Sequence, residues 1–154
     1  MPSDLIDSIL GITPDSPTGR LRRRRPEALH HAEGAHRELL LPEDPGGISL
    51  AERAALALRV ARREGDAALA AHYQHLLDAA GGVRQDDARL DALLRYADTV
   101  AAAPEDTSRA DIEALAALGL SPRDIVAATQ LVAFVPYQVR VVAGLRAMLR
   151  ETTP

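Results

Sequence analysis

Three side chains able to hold or move a proton recur at helical spacing in mid-chain: His72, His75 and Asp78. Residues three apart share a helix face, so two imidazoles and a carboxylate would stand in one row. Such a row could ligate a metal if a second helix supplied another ligand. Nothing in the sequence marks that second helix, so neither a metal nor any other cofactor is expected. His72 by itself has the chemistry of an acid or base near neutral pH. The remaining histidines, His30, His31 and His36, read as a solvated face of another helix. The chain has no cysteine, which removes thiolate nucleophiles, disulfides, Fe–S clusters and Cys-type zinc sites together.

All basic residues are arginine, and the net charge is −4. Arg20 and Arg22 to Arg25 form a dense basic run that could touch phosphates or anionic lipid. It is short, carries no interleaved aromatics and ends at Pro26, so neither nucleic acid nor membrane is an expected partner. No stretch resembles a signal peptide, and no run approaches the ~20 apolar residues needed to cross a bilayer. The expectation is a soluble, cytoplasmic protein. Its 154 residues suit one domain, and a domain of that length buries roughly 70% of its unfolded surface without a disulfide or metal staple.

The elements that must position these groups read as helices throughout. Ser3 can cap a first short helix reaching Gly11, with Leu5, Ile6, Ile9 and Leu10 on its apolar face. Residues 13–19 contain Pro14 and Pro17 and read as a turn-rich connector, so that residues 1–25 form a short helix plus connector. Pro26 opens a helix to about Leu40, and residues 41–47 are a loop. Ser49 and Glu52 form a capping box, and the helix after them should bury Leu50, Ala54, Leu56, Ala57 and Val60. Asp66 can cap the next helix, which ends at Gly81-Gly82.

A further helix is expected over about 86–103, with Leu90, Leu93, Leu94 and Ala97 at core spacing and Pro104 as its stop. Ser108 to Leu118 is a shorter helix closed by Gly119. Ser121 caps the last helix, Pro122 takes its first position, and Asp124 adds a favourable negative charge. Pro136 lies inside that helix and predicts a kink or break near Ala133 to Phe134. No strand is expected. The helix pairs near 49–80 and 108–150 hint at an internal duplication.

Residues 49–81, SLAERAALALRVARREGDAALAAHYQHLLDAAG, resemble the core helix pair of the carboxymuconolactone decarboxylase and AhpD-like alkylhydroperoxidase family. Residues 119–145, GLSPRDIVAATQLVAFVPYQVRVVAGL, are similar to that family's last long helix, where a Gly-Leu-Ser/Thr opening precedes an Ile-Val run. The aromatic, polar and Arg-containing segment that follows in relatives is matched by Phe134, Tyr137, Gln138 and Arg140. DLIDSILGITPDSP and EDPGGISLAERAALALRVA look like a narrower subgroup of CMD domain proteins. The resemblance implies an all-α, AhpD-like bundle of about seven or eight helices that forms dimers, trimers or hexamers.

In the peroxidase branch a Cys-x-x-Cys pair opens the second helix and a His follows. Anchored on His72, the two Cys sites fall at Gly65 and Ala68. Anchored on the preceding glycine, they fall at Asp66 and Leu69, and the His site moves to Tyr73. Neither alignment supplies a thiol, so thiol peroxidase activity is excluded. The family's relay glutamate is best matched by Glu52, one residue out of register. The resemblance thus implies His72 and Glu52 as candidate catalytic residues and Tyr137 and Arg140 as candidate substrate contacts.

The decarboxylase branch needs no cysteine. There a proton must reach carbon as carbon dioxide leaves, and a cation must hold the substrate carboxylates. His72 could supply the first, and Arg53, Arg59, Arg62, Arg63 or Arg140 the second. Two functions are therefore expected in competition. One is a non-peroxidase binding or assembly subunit, paired with itself or with a Cys-bearing paralogue. The other is a cysteine-independent lyase acting on a small carboxylated or lactone substrate. The enzyme requires a polar pocket with His72 pointing into it, ringed by an Arg and a carboxylate. The subunit requires His72 packed or at an interface.

Overall fold

A computed structural model describes residues 4–84 and 87–151. The chain is all-α, with eight α-helices, one 3-10 turn and no strand among the described residues. In chain order the helices are α1 (Leu5–Leu10), α2 (Pro17–Arg22), α3 (Pro26–Leu40), α4 (Leu50–Glu64) and α5 (Ala67–Ala79). After them come α6 (Ala88–Ala102), the 3-10 turn Pro104–Asp106, α7 (Arg109–Ala117) and α8 (Pro122–Glu151). The helix count and class agree with the expectation. The caps named at Ser3 and the helix start at 86 lie outside the described residues; Asp4 caps α1 and Asp87 caps α6.

α4 and α5 form the central helical hairpin. The Ser49–Glu52 capping box starts α4, and Gly65 ends it in the left-handed conformation at φ 79°. Asp66 then accepts from the amides of Ala68 and Leu69 to start α5. The two-residue connection forces the helices to run antiparallel. α8 crosses both this hairpin and α6, burying Leu131, Val132, Val135 and Val142 against Leu56, Val60, Leu69, Tyr73 and Leu93.

Three expectations change. Residues 13–19 are not a connector throughout, because Ser16 caps and Pro17 opens the short helix α2. Ser-Pro is the same start signal that opens α8, and Pro14 and Gly19 obscured it. Leu50 stays 36% exposed because it occupies the first position of α4, on the loop side of the core. α8 continues for 30 residues through Pro136, so the break allowed for near Ala133 to Phe134 does not occur. Proline removes one ladder bond, but Pro136 is buried on the same side of the helix that buries Val135 and Gln138, and packing holds the helix through it. By length and composition α8 could cross a bilayer, contrary to the expectation that no run approaches that requirement. Here its inner face belongs to the core.

The loop between α3 and α4 is tied at both ends. Arg53, 5% exposed, donates to the carbonyls of Ile48, Leu39 and Pro45 at 3.0, 2.8 and 2.9 Å. Asp124, buried in the first turn of α8, accepts from the Gly47 amide at 2.8 Å and from the Ser121 amide and hydroxyl at 2.9 and 2.7 Å. The Ser121 hydroxyl bond is the main reason its carboxyl stays below the usual range. Gly47 approaches so closely that a Cβ there would collide with that carboxylate. Gly47→Ala is therefore expected to cost about 2 kcal/mol, within the range of overpacking defects. Its urea midpoint should fall, and a wild-type midpoint would show that the contact yields freely.

Candidate functional site

The site forms where α3, α5 and α8 meet. His36 faces inward from α3 because Leu40 lies four residues on and Leu29 seven before, on the same helix face. His72 faces the same seam from α5. Their Nε2 atoms stand 3.0 Å apart and their ring centroids 5.2 Å apart. At that distance one ring donates its Nε2 proton and the other accepts through a lone pair. Two imidazolium ions would place two N–H groups head to head, so the pair holds at most one positive charge.

Burial keeps both rings neutral. His36 is 7% exposed, and desolvation lowers its pKa. His72 is pushed down to about 4, by burial first and then by His36 and His75, with Glu33 opposing. A group held neutral at pH 7 is a poor general acid, so the environment works against a proton-delivering role.

Beside the pair, the Tyr73 ring meets the His72 ring edge-on at 5.2 Å, and the Tyr73 hydroxyl donates to the Gln138 side-chain carbonyl. Tyr73 is fully buried and Gln138 is 2% exposed, and burial raises the phenol's pKa. The adjoining cavity holds only about 10 Å³ and is walled in part by Arg22, Glu33, His36, Phe134 and Gln138. That volume is about one water and excludes a metabolite. Arg22 is already engaged by Asp4 at 3.0 Å and by Asp7. Burial is also the first cause of the raised Asp7 pKa, ahead of the Asp4 charge, while Arg22 opposes both.

The structure disperses the residues named from the sequence. Glu52 closes the capping box with Ser49 and accepts from Arg89 at 2.8 Å. In the antiparallel hairpin it lies six or seven residues beyond the level of His72, on the order of 10 Å along the axis. Tyr137 is 46% exposed and stacks on Phe134 at 5.8 Å, and Arg140 is exposed. Arg53 serves the loop. Arg59 and Arg63 pair with Asp98, and Arg62 donates to Gln74 at 3.0 Å. His75 and Asp78 are exposed, and Asp78 accepts from Gln74 at 2.9 Å, so the row does not converge with His72. Gly65 and Asp66 cap helices and Leu69 is core, while Ala68 offers no reacting atom.

His36 is the correction of most consequence: it was expected on a solvated face with His30 and His31, and only those two are exposed. Its register with Leu29 and Leu40 was the available signal. Gln138 was matched only as part of a family segment. Its spacing from Val135 and Val142, both fully buried, places it on the core face.

No protein-family model and no curated protein matches the sequence. Among solved structures, the fold is similar to an uncharacterized peroxidase-related protein from Silicibacter sp. TM1040. The TM-score is 0.58 at 22% identity, over 77% of this chain and 68% of that one. At that identity the likeness establishes a shared fold.

Proposed function

We propose that this chain is a thiol-free member of the carboxymuconolactone decarboxylase and AhpD-like family, acting as a binding or assembly subunit. The observation that carries this reading is His72 closed against His36 in a neutral, desolvated contact beside a cavity of about 10 Å³. A working acid–base site would need an open pocket at that histidine. The fold shared with a peroxidase-related protein supports the family, and the absence of cysteine leaves no thiol for peroxide reduction.

An uncovered helix face supports assembly. Along α8, Val126, Gln130, Ala133, Tyr137 and Arg140 follow one another at three- and four-residue steps and are all exposed. Val126 is 55% exposed, which leaves apolar surface uncovered on the longest helix. Light scattering across a concentration series should show a species larger than 16.5 kDa, and Val126→Glu with Tyr137→Glu should dissociate it. NMR titration of His72 with lactones and dicarboxylates should leave its resonances in place, and peroxide should not be consumed above a no-protein control. A strict monomer sinks the self-assembly reading; ligand-induced shifts at His72 with turnover would establish the lyase instead.

A further inference from the structure

The arginines that the family resemblance offered as substrate clamps do gather in part, but away from the histidines. Arg59, Arg62 and Arg63 line one groove of about 450 Å³ between α4, α5 and α6. This face of α4 is set by Ala55, Leu58, Arg59 and Arg62 at three- and four-residue steps, and the facing row of α6 is Leu90, Leu94 and Asp98. Leu77 closes the groove from α5. Leu77 is five residues, roughly 140° of helix turn, from His72, so the two sites occupy different faces of α5.

The electrostatics are unbalanced. The groove holds three guanidiniums and one carboxylate, an excess of two positive charges (3 − 1 = 2) in a chain whose net charge is −4. Asp98 is committed to Arg59 through two bonds, Nε to Oδ1 at 3.1 Å and Nη2 to Oδ2 at 2.8 Å. Arg63 reaches the same carboxylate only at 3.7 Å, and Arg62 is held by the neutral amide of Gln74. Beneath these heads the floor is apolar, with Leu58 and Leu90 each 5% exposed and Leu77 and Leu94 half-buried. Planar guanidinium forks above an apolar floor match a ligand with an anionic head and a hydrocarbon body.

We propose that this groove binds an amphipathic carboxylate, a medium-chain fatty acid in its simplest form, with the head on Arg62 and Arg63 and the chain along Leu58, Leu77, Leu90 and Leu94. Arg59 stays with Asp98 and shapes the end of the groove. The site is separate from the His36–His72 pair, so it stands whether or not the chain is an assembly subunit.

The test is calorimetric titration with decanoate below its micelle threshold, against decanol (the tail without charge) and acetate (the charge without tail). Decanoate should bind saturably, one per chain, and shift the Leu94 methyl resonances. Arg62→Gln with Arg63→Gln, both exposed positions, should weaken it by about tenfold or more, as for loss of a charge-assisted bond, while leaving the circular dichroism spectrum unchanged. No saturation by decanoate, equal binding by decanol or acetate, or undiminished affinity in the double variant would each overturn the assignment.

Discussion

Arg53→Met is expected to lower stability by about 4 kcal/mol. Methionine approximates the stem but leaves the carbonyls of Ile48, Leu39 and Pro45 without the charged donor that now serves all three. Each charged hydrogen bond contributes about 1.5–3 kcal/mol, and a stranded buried carbonyl adds its desolvation cost. Burial depresses the pKa of the Arg53 guanidinium, with the Asp124 charge the largest opposing influence, so the loop carbonyls and a nearby carboxylate offset the cost of burying it. Arg53→Lys should recover only part of the loss, since an ammonium cannot span three carbonyls with the geometry of a planar fork. Urea unfolding at pH 7 decides the matter. A loss under about 1 kcal/mol would show that water readily replaces the guanidinium.

The second large effect is a loss of stability on acidification, traceable to His72. Its folded pKa of about 4 lies below its unfolded value of 6.5, so between those limits the unfolded chain binds the proton and the folded chain does not. The stabilising contribution is complete above about pH 7 and declines as pH falls from 6.5 towards 4. At 1.36 kcal/mol per unit, and reduced for a ring that is only partly buried, this amounts to on the order of 2–3 kcal/mol. The charged and titratable groups facing it are His36, His75 and Glu33. Ordinary carboxylates titrate near the low end of this window, so the informative quantity is a difference of slopes. His72→Phe should flatten the curve of unfolding free energy between pH 6.5 and 4 relative to wild type. Parallel curves would mean that the His36–His72 contact opens to solvent and the ring titrates as in water.

Both effects bear on function through one physical point. Among the buried polar groups, Arg53, Asp66, Asp124, His36 and Gln138 all have protein partners. Their desolvation is offset within the fold, which leaves little unsatisfied polarity to grip a substrate at the histidine seam. An excess of positive charge lies outside the seam, in the arginine groove between α4, α5 and α6.

Local signals sufficed for most of the elements, the short helix α2 excepted. Ser49 with Glu52, Asp66, and Ser121 with Pro122 and Asp124 are start signals that operate over three or four residues, and each caps or opens a helix where its spacing requires. Gly65 likewise ends α4 because its left-handed conformation is open to glycine without strain. The all-α class, the loop between α3 and α4, and the lack of any thiol followed from sequence alone, since each depends on residue type or short-range geometry. The site did not. His36 and His72 are 36 residues apart, and Tyr73 and Gln138 are 65 apart, so no local pattern joins them. Glu52 and His72 share one helical hairpin, yet the antiparallel register separates them along its axis. Whether Arg59, Arg62 and Arg63 line a groove or point into open solvent depends on where α6 packs, and that is set by the burial of Leu93 and Ala97 against the rest of the core. Helix ends obey their neighbours in sequence; the company a side chain keeps is decided by tertiary packing, because burial is a property of the assembled core.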